Sequence, residues 1–460
     1  VSQPLAPLGQ EARRAVRWAV GHGLPAALLR RAARQGDLQG LMVTRTAGSL
    51  EAPYPLATAI REAGPLHRAR YAWTTADHAV VKEVLSHPDL RSGFPRPQRD
   101  RVQRLALWAE EPRRLGPLSP PSLLVTDGPD HARYRRLVTR VFSVRAVEAL
   151  RARTQEVADA LVADLPRHVG PDGTVDLVEA YCSPLPVTVI CEILGVPASE
   201  RERVAAFGQA AAPSLDLGLS YRQARRVEDA LEDFRTWLVA HLEHLRAHPG
   251  DDLMSRLVAA RDDETGDGLS TDELLATAGL VLAAGFETTA NLLSNGLVLL
   301  LEHPDQRARL AREPSLWPNA VDEVLRYDPP VLLTGRTPAV DTEVAGRRVR
   351  VGEMVAAVLA GANRDPAVFT DPDVFDVARE NAREHLSFSG GRHFCLGAAL
   401  ARMEGEVGLR TLLDAFPDLA LGSGETRAAR RPTRILRGWA VLPAHLVPST
   451  VSAPAVRSRP

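Results

Sequence analysis

The sequence predicts a mainly α protein with a small β region. Three observations carry this expectation. Apolar positions recur at helical spacing over residues 133–247, with breaks near 170–173 and 213–220. Between Glu273 and Glu302 lies the longest apolar run, with Glu287 as its one internal charge. After Asp328-Pro329-Pro330 the pattern shifts to short strand-like pieces at 331–333, 342–344, 348–351 and 354–359.

Taken in order, residues 1–50 read as an arginine-rich, helical N-terminal extension, with its helix over 11–39. Residues 65–73 read as a strand and 77–85 as a helix, closed by Ser86-His87-Pro88. The Pro- and Arg-rich stretch 94–121 has few periodic apolar positions, as expected of a functional lid. Residues 249–268 form a polar connector. Ser270-Thr271-Asp272-Glu273 is a capping box that opens the apolar run. Hydropathy alone would make that run a membrane span. Its polar centre (Glu287, Thr288, Thr289, Asn291, Ser294, Asn295) argues instead for a central helix buried on all sides. A helix follows over 398–415, then a β-rich tail that includes 435–442. Residues 51–447 are expected to form one domain and 448–460 a disordered tail.

Composition is that of an ordinary globular chain, with 45% hydrophobic and 25% charged residues. A formal net charge of -1 gives no electrostatic case for nucleic acid or an anionic membrane. Lys82 is the only lysine, a bias of GC-rich genomes that we read as actinobacterial. Three cysteines (Cys182, Cys191, Cys395) leave an odd number without metal-type spacing, which suits a reducing cytoplasm. The early apolar runs are too short and too broken by arginines for a signal peptide.

The chemistry centres on Cys395, in Phe388-Ser389-Gly390-Gly391-Arg392-His393-Phe394-Cys395-Leu396-Gly397. A lone cysteine after glycines, opening a helix, is what a single thiolate ligand to iron requires. The glycines allow a tight turn close to a flat cofactor. The helix N-terminus directs free N–H groups at the sulfur and favours thiolate over thiol. Alone, such a cysteine is more often a small buried hydrophobe.

Ala284-Gly285-Phe286-Glu287-Thr288-Thr289 pairs a carboxyl with a hydroxyl in the apolar helix, as proton delivery to bound dioxygen needs. Gly285 would let a flat ring approach. The alternative is that Thr288 bonds back to its own helix and Glu287 pairs with a remote arginine. Glu323 and Arg326 share one helix face at i, i+3, an ordinary ion pair when taken singly. His131 and Arg135, at i, i+4, are either a basic surface or partners for cofactor carboxylates.

Together these motifs resemble the cytochrome P450 family over nearly the whole chain. Gly36-Asp37-Leu38-Gln39, Ala212-Pro213-Ser214-Leu215-Asp216 and Ile435-Leu436-Arg437-Gly438-Trp439 further resemble actinobacterial members grouped as P450 family 140. The resemblance implies the cytochrome P450 fold and a monooxygenase that holds haem b (iron protoporphyrin IX) through Cys395. It implies that Phe388, Gly391, His393 and Gly397 frame the haem, and that His131, Arg135, Arg336 and His393 hold its propionates. Glu287 and Thr288 would manage protons, and Glu323 with Arg326 would be structural. Ala283, Ala284, Val331 and Leu332 would face a lipophilic substrate of polyketide, terpenoid, steroid or lipid type, hydroxylated or epoxidised. NAD(P)H electrons would arrive through a ferredoxin reductase and a ferredoxin docked on Arg133, Arg136, Arg140, Arg392 and Arg402. A peroxide-driven haem-thiolate oxidase and a non-catalytic haem or lipid binder are the rival readings. Family members close the Glu-x-x-Arg network with an Arg or His where this chain has Val374, so Arg364 or Arg379 is expected to substitute.

Overall fold

A computed structural model describes residues 5–45, 53–93, 105, 108–109, 116, 119–262, 266–422 and 427–446. The lid stretch lies largely outside the described residues, and the C-terminal tail wholly so. The architecture is helical around one long element, Thr271–Glu302. Its 32 residues make it about 48 Å long. The expected capping box forms at its start, with reciprocal bonds between Ser270 and Glu273. Most of its side chains beyond the first turn are buried, because helices pack on several sides: Pro184–Ile193, Arg201–Ala211, Trp317–Tyr327 and Ala398–Ala415. Among the described residues, no helix is long and apolar enough to cross a membrane.

The β structure is small. A five-stranded sheet runs His67–Arg68, Trp73–Thr75, Val355–Ala357, Thr334–Pro338, Leu90–Ser92. The expected strand over 65–73 is a short hairpin ending at Thr75. The piece at 331–333 makes only a bridge from Val331 to Leu436, and the true strand starts at Thr334. At 354–359 the chain leaves the strand after Ala357 and makes a short helix, Leu359–Ala362. The tail supplies Trp439–Val441, paired with Ala429–Arg430, and Pro443–His445 in a separate three-stranded sheet.

The single N-terminal helix expected over 11–39 is three: Leu5–Trp18, Leu24–Arg34 and Leu38–Arg45. A π-helical segment, Ala19–Gly23, joins the first two, and Gly36 at φ +80° turns the chain into the third. Met42 and Val43 of that third helix are buried with Ile60, Leu333 and Val358, so it belongs to the core.

Behind the cysteine segment lies a buried charge network. Arg326 and Glu323 form a bidentate pair with bonds of 2.7 and 2.8 Å, and neither side chain is exposed. Val374 itself is exposed and supplies no side-chain partner. Arg379 is the substitute: its Nε lies 3.2 Å from Glu323 Oε1, and both arginines donate to the Val374 carbonyl. Arg364 goes elsewhere, to Asp373 and the Tyr327 carbonyl, stacked between the Tyr54 and Tyr327 rings. Arg326→Met leaves Glu323 with half its charge partners and should cost about 3–5 kcal/mol in urea unfolding. Arg379→Met should cost about 1–3 kcal/mol, because Arg326 remains. A cost near zero for Arg379→Met would remove it from the network.

Candidate functional site

Two elements meet at Cys395: its own loop and the Gly128–Val141 helix, whose Arg135 reaches the Phe394 carbonyl. In the loop, Ser389 and Gly391 adopt left-handed φ values of 63° and 61°. A Cβ on Gly391 would lie 2.7 Å from the Leu85 carbonyl oxygen and 2.9 Å from Ser86 Cα. Glycine is therefore required here by packing against the end of the His78–Ser86 helix as well as by φ. Gly397 differs: nothing lies within 4 Å of its Cβ position, so that side of the loop is open. Cys395 N donates to the Phe388 carbonyl at 2.8 Å, closing the loop. Phe388 is buried under the Arg402 guanidinium, 4.6 Å from ring centre. The Cys395 sulfur is accessible to solvent, yet closely surrounded. Burial pushes its thiol up, opposed by the Gly397 N–H and by the Arg135 and Arg402 guanidinium groups. The dipole-favoured thiolate expected from sequence is thus outweighed by desolvation in the free thiol; coordination to a metal removes the proton outright.

A cationic cluster lies beside this loop. Arg336 is buried, and its hydrogen-bond partners among the described residues are all neutral: Thr334 Oγ1, the Gly335 carbonyl and Ser389 Oγ. Burial lowers its pKa to about 10. Arg135 donates to the Phe394 carbonyl at 2.6 Å. His393 pairs with Asp127 at 3.0 Å and stacks 4.6 Å from His131. His131 is buried with an Nε2 that has no hydrogen-bond partner among the described residues. Desolvation first, then the charge of His393, pushes its pKa down to about 4. Asp127 is the one carboxylate seen acting on these groups. Buried cations in excess, plus an orphaned ring nitrogen, call for an anionic partner.

On the central helix, Leu280, Ala284 and Thr288 recur every fourth residue and are only partly buried, while most residues between them are buried. One face therefore borders a crevice. Ala283 is packed inside, and so is Leu332; both were expected to face a substrate. Ala284 and the half-buried Val331 keep access. Gly285 packs against the adjacent helix, its Cβ position 3.0 Å from Ile190. Thr288 Oγ1 donates to the Ala284 carbonyl at 2.6 Å. Glu287 is buried, 3.9 Å from Arg431. Burial raises its pKa, which Arg431 opposes and Asp216 reinforces. The alternative weighed from sequence is thus the geometry seen.

Comparison with known proteins decides the family. The cytochrome P450 family model matches residues 211–419. The putative cytochrome P450 140 of Mycobacterium tuberculosis (strain H37Rv) is 48% identical over 94% of this chain and 97% of its own length. The 6-deoxyerythronolide B hydroxylase of Saccharopolyspora erythraea is 38% identical over 84% of this chain and 94% of its own. The chain belongs to the cytochrome P450 family. The crystal structure of a myxobacterial P450, CYP267B1, in complex with myristic acid is similar at a TM-score of 0.75 and 36% identity, covering 86% of this chain and 96% of that one.

The protein is thus a P450 monooxygenase, and P450s carry haem b on a cysteine thiolate. The residues fit that group. Cys395 is reachable, Gly397 leaves room on the loop, and the cluster of His131, Arg135, Arg336 and His393 lacks the anion that two propionates would supply. A cavity of about 640 Å³, lined by Arg133, Arg246, Arg261 and Glu273, is open and polar. Glu273 precedes Glu287 by about 21 Å along the helix, so that cavity is not the haem site. All five arginines assigned to ferredoxin docking are engaged within the chain. Arg133 pairs with Glu273, Arg136 with Asp262, Arg392 with Asp127 and the His87 and Pro88 carbonyls, and Arg402 with Asp322. Arg140 is exposed and likewise has a partner.

Sequence reading missed Asp127, Arg431 and Glu404, each a lone charge with no local pattern. Glu404 of the cysteine helix is buried near the Thr289 hydroxyl, and burial pushes its pKa up to about 8. The folded protein thus keeps a proton that the unfolded chain releases near its ordinary 4.5, so Glu404 costs stability as pH rises from 4.5 towards 8. Urea midpoints should show Glu404→Gln gaining on the parent at pH 8 and not at pH 5. Equal gains at both would place the cost elsewhere. Arg336→Met should lower haem retention about tenfold or more, through loss of a charged hydrogen bond; full retention would remove Arg336 from the haem site.

Proposed function

We propose that this P450 inserts one oxygen atom of O2 into a bulky, mostly apolar small molecule, by hydroxylation or epoxidation. The observation that carries this reading is the cation cluster around the exposed Cys395, taken with the partly open face of Leu280, Ala284 and Thr288 on the central helix. When bound, the haem would supply the oxidising chemistry, its thiolate ligand favouring O–O cleavage. The chain's own part is to hold it, shape the crevice and manage protons. Thr288 donates to Ala284, which leaves its oxygen lone pairs free to accept a proton-carrying partner. Glu287, next to it in sequence, is buried with a raised pKa, so it keeps a proton to higher pH than an exposed carboxyl does.

The substrate class is supported by composition and by relatives. Aromatics are 5% of the chain, which leaves few stacking walls and favours aliphatic or alicyclic molecules. One relative is named for hydroxylating 6-deoxyerythronolide B, and a structural neighbour holds myristic acid. Electrons would come from NAD(P)H through a ferredoxin reductase and a ferredoxin. Of three cysteines two are buried, short of the four thiolates an iron–sulfur cluster takes.

A peroxide-driven oxidase would have no use for a buried acid beside a hydroxyl, since peroxide brings its own protons. Thr288→Ala should keep NAD(P)H consumption while diverting most of it to hydrogen peroxide, a product loss of about 10²-fold. Coupling unchanged from the parent, or equal turnover of the parent with hydrogen peroxide alone, would overturn the reading.

A further inference from the structure

The net charge of -1 conceals an uneven distribution. Several surface helices pair their arginines with acids one turn away: Arg151 with Glu148, Arg153 with Glu156, Arg167 with Asp164 and Arg235 with Glu232. The helix Leu24–Arg34 carries no acid at all. Its Ala26 and Ala32 are buried, and the opposite arc exposes Leu24, Ala27, Arg30, Arg31 and Arg34. The helix before it exposes Ala12 and Arg13.

Among the described residues, no ion pair engages Arg13, Arg30, Arg31 or Arg34. The acids beside them are spent on other groups. Glu11 accepts from Tyr221 at 2.6 Å and lies 3.2 Å from Arg225. Glu228 takes Arg17, and Asp229 takes Arg14. Asp37 accepts the backbone N–H groups of Gly40 and Arg70. The two helices therefore present positive charge that the chain does not balance locally, and such a face draws anions from outside.

The same face exposes large apolar groups. Leu24 is 51% exposed and Trp108 46%. The Arg13 guanidinium lies 5.3 Å from the Trp108 ring centre, which joins that ring to the first helix. At the other end, Arg70 donates to Gln35 at 2.7 Å and lies 5.9 Å from the centre of the exposed Tyr71 ring. The face is held in place from below: Trp18 Nε1 donates to the Leu219 carbonyl at 2.8 Å, and the third helix is rooted in the core through Met42 and Val43. Arginines on long stems, a leucine between them and aromatic rings at the rim suit the headgroup layer of a bilayer. A nucleic acid would reward the arginines and leave Leu24 in water.

We propose that the exposed face of the first two helices, with Arg13, Leu24, Arg30, Arg31, Arg34 and the adjoining Trp108, docks the protein on the surface of an anionic lipid bilayer. The protein lies on the bilayer and does not span it, in keeping with the absence, among the described residues, of a helix long and apolar enough to cross. The arginines supply attraction to the lipid phosphates, which salt screens. Leu24 and Trp108 supply shallow insertion, which salt does not weaken.

The test is co-sedimentation of the haem-loaded full chain with vesicles of phosphatidylcholine alone and of phosphatidylcholine with phosphatidylglycerol in equal parts. The parent should bind the anionic vesicles and not the neutral ones. Replacing Arg30, Arg31 and Arg34 together by Gln should weaken binding about a hundredfold, roughly fivefold for each arginine brought near an anionic surface. Leu24→Ser should weaken it several-fold at high and low salt alike. Arg167→Gln, an exposed arginine with its own acid, should leave binding as in the parent. Haem absorbance equal to that of the parent shows that each variant is folded. A triple variant within twofold of the parent, or equal binding to neutral and anionic vesicles, would overturn the proposal. Duplex DNA bound as tightly as the vesicles at matched phosphate, with Leu24→Ser without effect, would assign the face to nucleic acid and overturn it too. Sedimentation does not depend on turnover, so the docking face and the monooxygenase reading stand or fall separately.

Discussion

Two adjacent buried acids, Asp322 and Glu323, organise this molecule. Both are fully shielded on the Trp317–Tyr327 helix, where an uncompensated charge would cost several kcal/mol. Each recruits its own cations from a different part of the chain. Glu323 takes Arg326 and Arg379, and through their donors fixes the carbonyls of Asn363, Pro372 and Val374. Asp322 takes His385, Arg383 and Arg402. Arg402 covers Phe388, whose carbonyl receives the Cys395 N–H. The position of the cysteine thus depends on a charge balance struck two elements away.

The other half of the site is set by the central helix. Being buried along most of its length, it can present a crevice only where packing leaves one face partly open, and that is the face of Leu280, Ala284 and Thr288. Glu287 points elsewhere, towards Arg431 and Asp216. The acid and the hydroxyl that adjoin in sequence therefore answer to different neighbours. Asp216 both anchors the Arg434 backbone and adds to the raised pKa of Glu287.

Legibility in the sequence followed the range of the interaction. The capping box at Ser270 and the Glu323–Arg326 pair each span four residues, and each formed as read. Arg379 was one of two candidates, and only the folded chain shows that Arg364 is spent on Asp373, Tyr54 and Tyr327. Gly391 and Gly285 were rightly singled out, yet their neighbours are protein: a carbonyl of Leu85 and a methyl of Ile190. A glycine announces that something comes close, and not what.

The sequence alone determined the helical class and the family, because local pattern carries that information. Tertiary structure decided which groups meet across the chain: Arg431 with Glu287, Asp216 with Arg434, Arg379 with Glu323 and Trp18 with Leu219. These pairs are separated by up to 218 residues and have no periodicity to mark them. Burial and closure make them partners, since a charge or donor withdrawn from water must find its counterpart wherever the fold brings one.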